Sequence, residues 1–376
     1  MSCDFIALAT PGVKGLTPYQ PGKPVEELER ELGISNIIKL ASNENPLGPS
    51  ALVLAAIEKA ALELTRYPDG GGFNLKQALS SELSVSRDQV TLGNGSNDVL
   101  DLIARAYLSA GDEAIFSQYA FAVYPISTQA VGATAVVTPA KDYGHDLDAM
   151  AEAITDKTRV IFIANPNNPT GNWLSGAEIA HFLGRVPETV IVVLDEAYFE
   201  YAFDPSNSDR GSSDDQYYPD GLAYLSKYPN LIVTRTFSKA YGLASLRVGY
   251  GISSPEIADI LNRVRQPFNV NSLALVAAET ALTDKEYLQQ GRALNKKGVA
   301  QLQAGFDALG LSYVPSAGNF VLAHFETDAL PIFNELLKKG VIVRPVGNYG
   351  MPNSLRVSVG TEKENQRFLD SLAEIL

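Results

Sequence analysis

Unbroken apolar runs, not alternating ones, mark the middle of this chain. Val160-Ile161-Phe162-Ile163, Val190-Ile191-Val192-Val193-Leu194 and Leu231-Ile232-Val233 are apolar at every position. A strand with one wet face alternates, whereas a strand covered on both faces does not. These runs therefore predict parallel strands sandwiched between helices. Shorter stretches at Gln89–Leu92, Ala114–Phe116 and Thr134–Val137 extend the series, with helical stretches at Ala51–Leu64 and Val99–Leu108. Alternating units of this kind predict an α/β fold: a mainly parallel doubly wound sheet with right-handed crossovers.

The pattern changes in three places. The first thirty residues are rich in Pro and Gly and read as an extended arm ending in a short helix. Asp204–Asp220, rich in Pro, Ser, Asn, Gly and Asp, reads as a surface excursion with no catalytic part. From about residue 270 a long helical region, Ser272–Ala308, precedes short strands at Phe320–His324, Val341–Arg344 and Leu355–Val359, the composition of a smaller α+β domain. The expected division is a large domain over 48–268, with 1–47 and 269–376 forming the arm and small domain.

Composition narrows the function. A net charge of -13 argues against nucleic acid as a partner, since phosphates demand a basic face. The single cysteine, Cys3, leaves no intramolecular disulfide and points to a reducing, cytoplasmic setting. His145, His181 and His324 lie far apart in the chain, so no metal site is expected. No apolar segment approaches the roughly 20 residues that span a bilayer.

Each apolar run leads into residues that can carry chemistry. Leu231–Val233 is followed by Thr236-Phe237-Ser238-Lys239-Ala240-Tyr241-Gly242, then by Arg247. Strand ends of open α/β sheets hold ligands. A lysine there forms a Schiff base when its surroundings lower its pKa, and the hydroxyls with the arginine suit a phosphate. Together they describe a seat for pyridoxal phosphate, with Lys239 as covalent anchor. Val190–Leu194 leads into Asp195-Glu196-Ala197-Tyr198. A desolvated carboxylate needs a cation, and a protonated pyridine nitrogen would serve, although a helix cap explains the aspartate equally well. Tyr198 is spaced to reach the ring's phenolic oxygen.

Asn165-Pro166-Asn167-Asn168-Pro169-Thr170-Gly171 offers amide donors at the sheet edge, or is an ordinary turn. Gly93-Asn94-Gly95-Ser96-Asn97-Asp98 imitates a dinucleotide fingerprint but has Asp98 where a third glycine belongs. A single-phosphate cup of Ser96, Asn97, Ser238 and Arg247 fits better. Tyr119 follows another strand end and either stacks on a planar ring or packs in the core. Tyr67 reads as a surface loop tyrosine. Arg344 and Arg356, at strand positions among apolar neighbours, either grip an anion or make structural ion pairs.

With Gly15–Gly22, Leu40–Gly48, Arg66–Asp69, Asn165–Gly171, Asp195–Tyr198 and Arg235–Gly249 in view, the chain resembles the class I/II aminotransferases over nearly its full length. That resemblance implies the fold-type I PLP-transferase fold and a set of roles. Lys239 would be catalytic, binding the cofactor and shuttling a proton. Asp195 would meet the pyridinium, and Tyr198 with Asn168 the phenolic oxygen. Tyr119 would stack on the ring. Ser96, Asn97, Ser238 and Arg247 would hold the phosphate, with Thr236 assisting, and Tyr67 would reach the neighbouring subunit's cofactor in a homodimer. The N-terminal segments resemble the branch acting on histidinol phosphate. This implies ping-pong transfer between histidinol phosphate and 2-oxoglutarate in histidine biosynthesis. Tyr19 and Asn43 would line the substrate entrance, and Arg356 with Arg344 would bind substrate anions. An aromatic amino acid aminotransferase, a phosphoamino-acid decarboxylase and a catalytically silent module share the fold and stay open on sequence grounds.

Overall fold

The computed structural model describes residues 3–203 and 217–376, and two main sheets organise them. After a short N-terminal strand, β1 (Ile38–Lys39), come β2 (Val90–Gly93), β3 (Glu113–Ser117) and β4 (Thr134–Thr138). A small hairpin of β5 (Ala140–Lys141) and β6 (Gly144–His145) follows, then β7 (Thr158–Ala164), β8 (Ile191–Asp195), β9 (Leu231–Thr236) and β10 (Gly249–Ile252). The large sheet runs β2-β10-β9-β8-β7-β3-β4 and is parallel apart from β10. The α/β class expected from the unbroken runs is the one observed.

Side chains alternate across these strands and feed two cores. Phe162, Val193 and Ile232 pack on one face with Val99, Leu100, Ile103 and Tyr124. Ile161, Ile163, Val192, Leu194 and Val233 pack on the other with Met150, Ile179 and Phe182. Being buried on both faces is why the runs show no polar alternation. The helix Ser96–Tyr107 buries Val99, Leu100, Leu102, Ile103 and Ala104 against the sheet, and it begins shortly after β2.

The C-terminal part builds β11 (Ser312–Val314), β12 (Phe320–His324), β13 (Val341–Ile342), β14 (Arg344–Pro345) and β15 (Ser354–Ser358), with sheet order β11-β12-β15-β14. Leu302, Phe306, Leu336, Phe368 and Leu372 from its helices pack on Val321, Ala323, Leu355 and Val357. β1 pairs in parallel with β13, so the N-terminal segment is tied to this region.

Several local outcomes differ from the sequence reading, among them the division of the expected strand Val341–Arg344 into β13 and β14, which lie in different sheets. β10 is not among the expected strands, because its Gly-Tyr-Gly-Ile composition depresses strand propensity. The helical region 272–308 is two helices, Ser272–Thr283 and Lys285–Ala308, broken at Asp284, whose carboxylate accepts the Tyr287 amide at 3.1 Å. The surface reading of Asp204–Asp220 is corrected at its end: 204–216 lie outside the described residues, but Tyr218 and Asp220 are buried. Among the described residues no helix is long and apolar enough to cross a membrane.

Candidate active site

Register decides what the strand ends present. Ala164, Asp195 and Thr234 lie abreast on β7, β8 and β9. Asp195 shares the face of Val193, so its carboxylate emerges beside Tyr124: the Tyr124 hydroxyl donates to Oδ2 at 2.8 Å and Thr234 Oγ1 donates to Oδ1 at 2.8 Å. Both oxygens thus accept neutral hydroxyls while Asp195 is only 4% exposed. Burial pushes its pKa up, opposed by the Tyr124 and Thr234 hydrogen bonds and by the charge of Lys239. A buried carboxylate that has hydroxyl donors but no cation in contact invites a cationic ligand.

The start of the Ser96–Tyr107 helix forms the opposite end of the cavity. Gly95 caps it with φ 83 and no side-chain hydrogen bond, leaving the first amides directed outward with the positive end of the helix dipole. A Cβ at Gly95 would sit 2.5 Å from Arg247 Nη2, so only glycine lets the guanidinium close over the helix end. Arg247 itself holds φ 56, an uncommon left-handed conformation, and donates to Ser238 Oγ at 3.1 Å and Ala244 O at 3.0 Å. Ser96, Asn97, Ser238 and Arg247 therefore converge on one cup.

Lys239 lies between cup and carboxylate. Its Nζ donates to Ser42 O at 3.2 Å and stands 5.5 Å from the Tyr198 ring centre. Burial, with the neighbouring Arg356 and Arg247 guanidinium groups, lowers its pKa to about 7 against the opposing charges of Glu44 and Asp195. The Tyr198 hydroxyl accepts from Asn43 Nδ2 at 2.8 Å, and burial raises its pKa to about 12. Asn43, with φ 55, is pinned by Ser358, which receives its amide at 2.8 Å and donates to its Oδ1 at 2.8 Å.

On the small-sheet side, Arg344 and Arg356 are cross-strand partners on β14 and β15. Arg356 Nη1 donates to Asn168 Oδ1 at 2.6 Å and Nη2 to Ala41 O at 2.7 Å, while its Nε has no partner among the described residues. Arg344 Nη2 donates to Gln20 O at 2.6 Å, with the guanidinium 5.9 Å from the Tyr19 ring centre. Neither arginine makes a salt bridge among the described residues. Asn168 reaches the cavity through a turn whose two Asn-Pro bonds, at 165–166 and 168–169, are both cis.

One cavity gathers Tyr19, Asn43, Ser96, Asn97, Asn168, Asp195, Tyr198, Thr236, Ser238, Lys239, Arg247, Arg344 and Arg356. Two expected residues lie elsewhere. The Tyr119 reading is corrected: its carbonyl accepts Asn167 Nδ2 at 3.0 Å and its ring stacks on Tyr143 at 5.9 Å, away from the cavity. Of the aromatics that closely follow β3, the one lining the cavity is Phe121, two residues on. Tyr67 is 83% exposed and stacked on Phe268, outside the cavity of its own chain. Sequence reasoning misses Tyr124 and Glu44 altogether. Tyr124 sits on a helix with no motif, and only the fold brings it to Asp195.

A family model for "Aminotransferase class I and II" matches residues 35–372. The chain is 62% identical over 378 residues to histidinol-phosphate aminotransferase 2 of Pseudomonas fluorescens Pf-5, covering 100% of this chain and 99% of the relative. It is 60% identical to histidinol-phosphate aminotransferase 2 of Pseudomonas aeruginosa PAO1, covering 99% of each. The chain belongs to the class I and II aminotransferases. A crystal structure of the Sinorhizobium meliloti histidinol-phosphate aminotransferase, in complex with pyridoxal-5'-phosphate, superposes with TM-score 0.87 at 30% identity, covering 98% of both chains.

The aminotransferase cavity suits that kind of group on its own chemistry. The cup supplies backbone amides, a hydroxyl and a guanidinium for a phosphate; Asp195 supplies a buried carboxylate for a ring nitrogen; Lys239 supplies an amine for an aldehyde. The amine makes a direct expectation. In the cofactor-free aminotransferase, Lys239 acylation should rise with a midpoint near pH 7, against 10.5 for an ordinary lysine. Labelling followed by peptide mass analysis reads this, and a midpoint near the ordinary value would remove the electrostatic argument.

Proposed function

We propose that this aminotransferase moves the amino group of L-histidinol phosphate to 2-oxoglutarate, giving imidazole acetol phosphate and L-glutamate, in histidine biosynthesis. Its cofactor is pyridoxal phosphate. The observation that carries the substrate is the full-length likeness to the two Pseudomonas enzymes. When bound, the cofactor supplies an aldehyde that exchanges for the amino group and a ring that takes up the electron pair released at the substrate carbon.

The residues of the chain divide the remaining tasks. Lys239 would hold the cofactor through its amine and, when free, would take and return the proton on the substrate carbon bearing nitrogen; burial and the neighbouring guanidinium groups favour its neutral, basic form. Asp195 keeps the ring nitrogen protonated, with Tyr124 and Thr234 fixing its orientation. Asn168 and the Asn43–Tyr198 pair, which line the same cavity, would meet the phenolic oxygen. Phe121, which lines the cavity where Tyr119 does not, would offer the aromatic face to the ring. Ser96, Asn97, Ser238 and Arg247 would hold the phosphate, with Thr236 lining the same cavity.

Ping-pong transfer requires one pocket to accept a phosphate monoester and then a dicarboxylate. Arg356 and Arg344 would serve both, because a guanidinium fork matches either anion, and Tyr19 lines the same cavity with its ring 5.9 Å from the Arg344 guanidinium. The protein works as a homodimer in this reading. Exposed Tyr67, Leu62, Leu64 and Phe73 favour a buried partner face, with Tyr67 reaching the cofactor phosphate of the other subunit. The large domain spans 48–268, and the β1–β13 pairing supports grouping 1–47 with 269–376.

The test is a substrate comparison with 2-oxoglutarate as acceptor. Histidinol phosphate should exceed phenylalanine in kcat/KM by on the order of 10⁴-fold, the discrimination expected when a built polar site loses its partner. Equal or better turnover of phenylalanine would replace this reading with an aromatic amino acid aminotransferase.

A further inference from the structure

Tyr218 and Asp220 line no part of the cavity, yet both are buried against the strand ends that form its floor. We propose that they are positioning residues. They strap together the ends of β7, β8 and β9 from the face opposite the cofactor and so set the spacing of Asn168, Asp195 and Lys239. The cofactor part of this inference rests on the function proposed above; the strap itself is a property of the protein alone.

One residue beyond Ala164, Asp195 and Thr234 come Asn165, Glu196 and Arg235, which by strand alternation turn to the other face. The strap engages all three. The Tyr218 hydroxyl donates to Asn165 O, while its ring packs 6.0 Å from Trp173 and 6.2 Å from Phe199. Asp220 Oδ1 accepts from Arg235 Nη2 at 2.6 Å. Arg235 in turn donates to Glu196 Oε2 through Nε at 2.9 Å and Nη2 at 2.6 Å, under the Phe199 ring at 3.4 Å. Gly221, next in the chain, donates its amide to Glu196 Oε1 at 2.9 Å. A Cβ there would come within 2.6 Å of Glu196 Oε1 and Leu194 Cδ2, so the approach is possible only without a side chain.

Such a cluster is a poor way to gain stability, because burying three charges costs about as much as their attraction returns. It is an effective way to fix geometry: one planar guanidinium shared by two carboxylates allows few arrangements of the strands that carry them. Each strapped residue is the immediate chain neighbour of one facing the cavity, so a shift on one face becomes a shift on the other. Misplacement by about 1 Å costs on the order of a hundredfold in rate, which sets the stake.

Tyr218→Phe and Asp220→Asn test the strap. Asp220→Asn leaves the Arg235–Glu196 pair balanced, and Tyr218→Phe keeps the ring. Ile257→Val, a core change on the helix Pro255–Val264, gives a mildly destabilised control. In the cofactor-free protein, amide exchange at residues 164–168 and 195–198 should quicken about tenfold in both strap variants and not in the control. In the loaded enzyme kcat should fall about tenfold while KM for both substrates stays within about twofold. Exchange at those segments equal to wild type, or raised equally in the control, overturns the proposal whether or not cofactor binds. Failure of borohydride to label Lys239 in the wild type strikes the proposed function instead. If Asp220→Asn does not fold, Tyr218→Phe decides alone.

Discussion

Lys239→Ala is expected to lower transamination on the order of 10⁴-fold while leaving a folded protein. In the proposed function the amine is both the attachment point and the group that moves the proton at the substrate carbon, and loss of a positioned general base alone costs about 10²–10⁴. Borohydride reduction with cofactor present should label the peptide containing residue 239 in wild type and leave the variant unlabelled. Stability should move the other way. Burial lowers the folded pKa of Lys239 to about 7, so between about 7 and 10.5 the unfolded state binds a proton that the native state refuses. That penalty, largest at the lower end of the window, disappears with the side chain. The cofactor-free variant should therefore melt above the cofactor-free wild type at neutral pH. A variant that loses activity and melts lower would mean that lysine supports the fold rather than the chemistry.

Arg235→Met is the substitution with the largest expected cost in stability, about 3–5 kcal/mol, the usual loss when one member of a buried ion pair is removed. Glu196 is fully buried, Asp220 is 3% exposed and Glu200 is 7% exposed, with Glu200 Oε2 lacking a partner among the described residues. Burial raises the Glu196 pKa to about 7, with Asp220 adding to the rise and Arg235 opposing it. Burial likewise raises Glu200 to about 7 against the charge of Arg235. Removing the guanidinium raises both further. A carboxylate whose folded pKa exceeds its unfolded value contributes stability below the unfolded pKa and loses it as pH rises through the folded one. The deficit of Arg235→Met should therefore be larger at pH 8 than at pH 5, read from urea midpoints of the holoenzyme. A deficit that is small, or that grows toward pH 5, would contradict the charge account.

Much of the cavity is legible in the amino-acid sequence, because parallel sheets place their chemistry where apolar runs stop. Asp195, Asn168, Thr236 and Lys239 each stand within a few residues of such an end, and all line the cavity. Choosing between Tyr119 and Phe121 is beyond local pattern. Both follow β3 closely, and the choice depends on Asn167 pulling the Tyr119 carbonyl aside and Tyr143 stacking on its ring. Tyr124 carries no motif; its role exists only because the fold brings the helix Val123–Ala130 close enough for its hydroxyl to reach Asp195 at the end of β8. Asp220 passes for a surface residue for a similar reason, since a stretch rich in Asp and Ser looks solvated until a buried arginine is known to await it.

By itself the chain's order of residues determined the layered α/β class, the strand ends and the lysine, acid and arginine they carry, because burial on both faces leaves a local signature. Only the tertiary structure decided which aromatic enters the cavity, how Arg344 and Arg356 meet across β14 and β15, and that Asp220 is anchored behind Asp195. Those outcomes depend on contacts between residues remote in the chain, whose energies no short stretch of sequence contains.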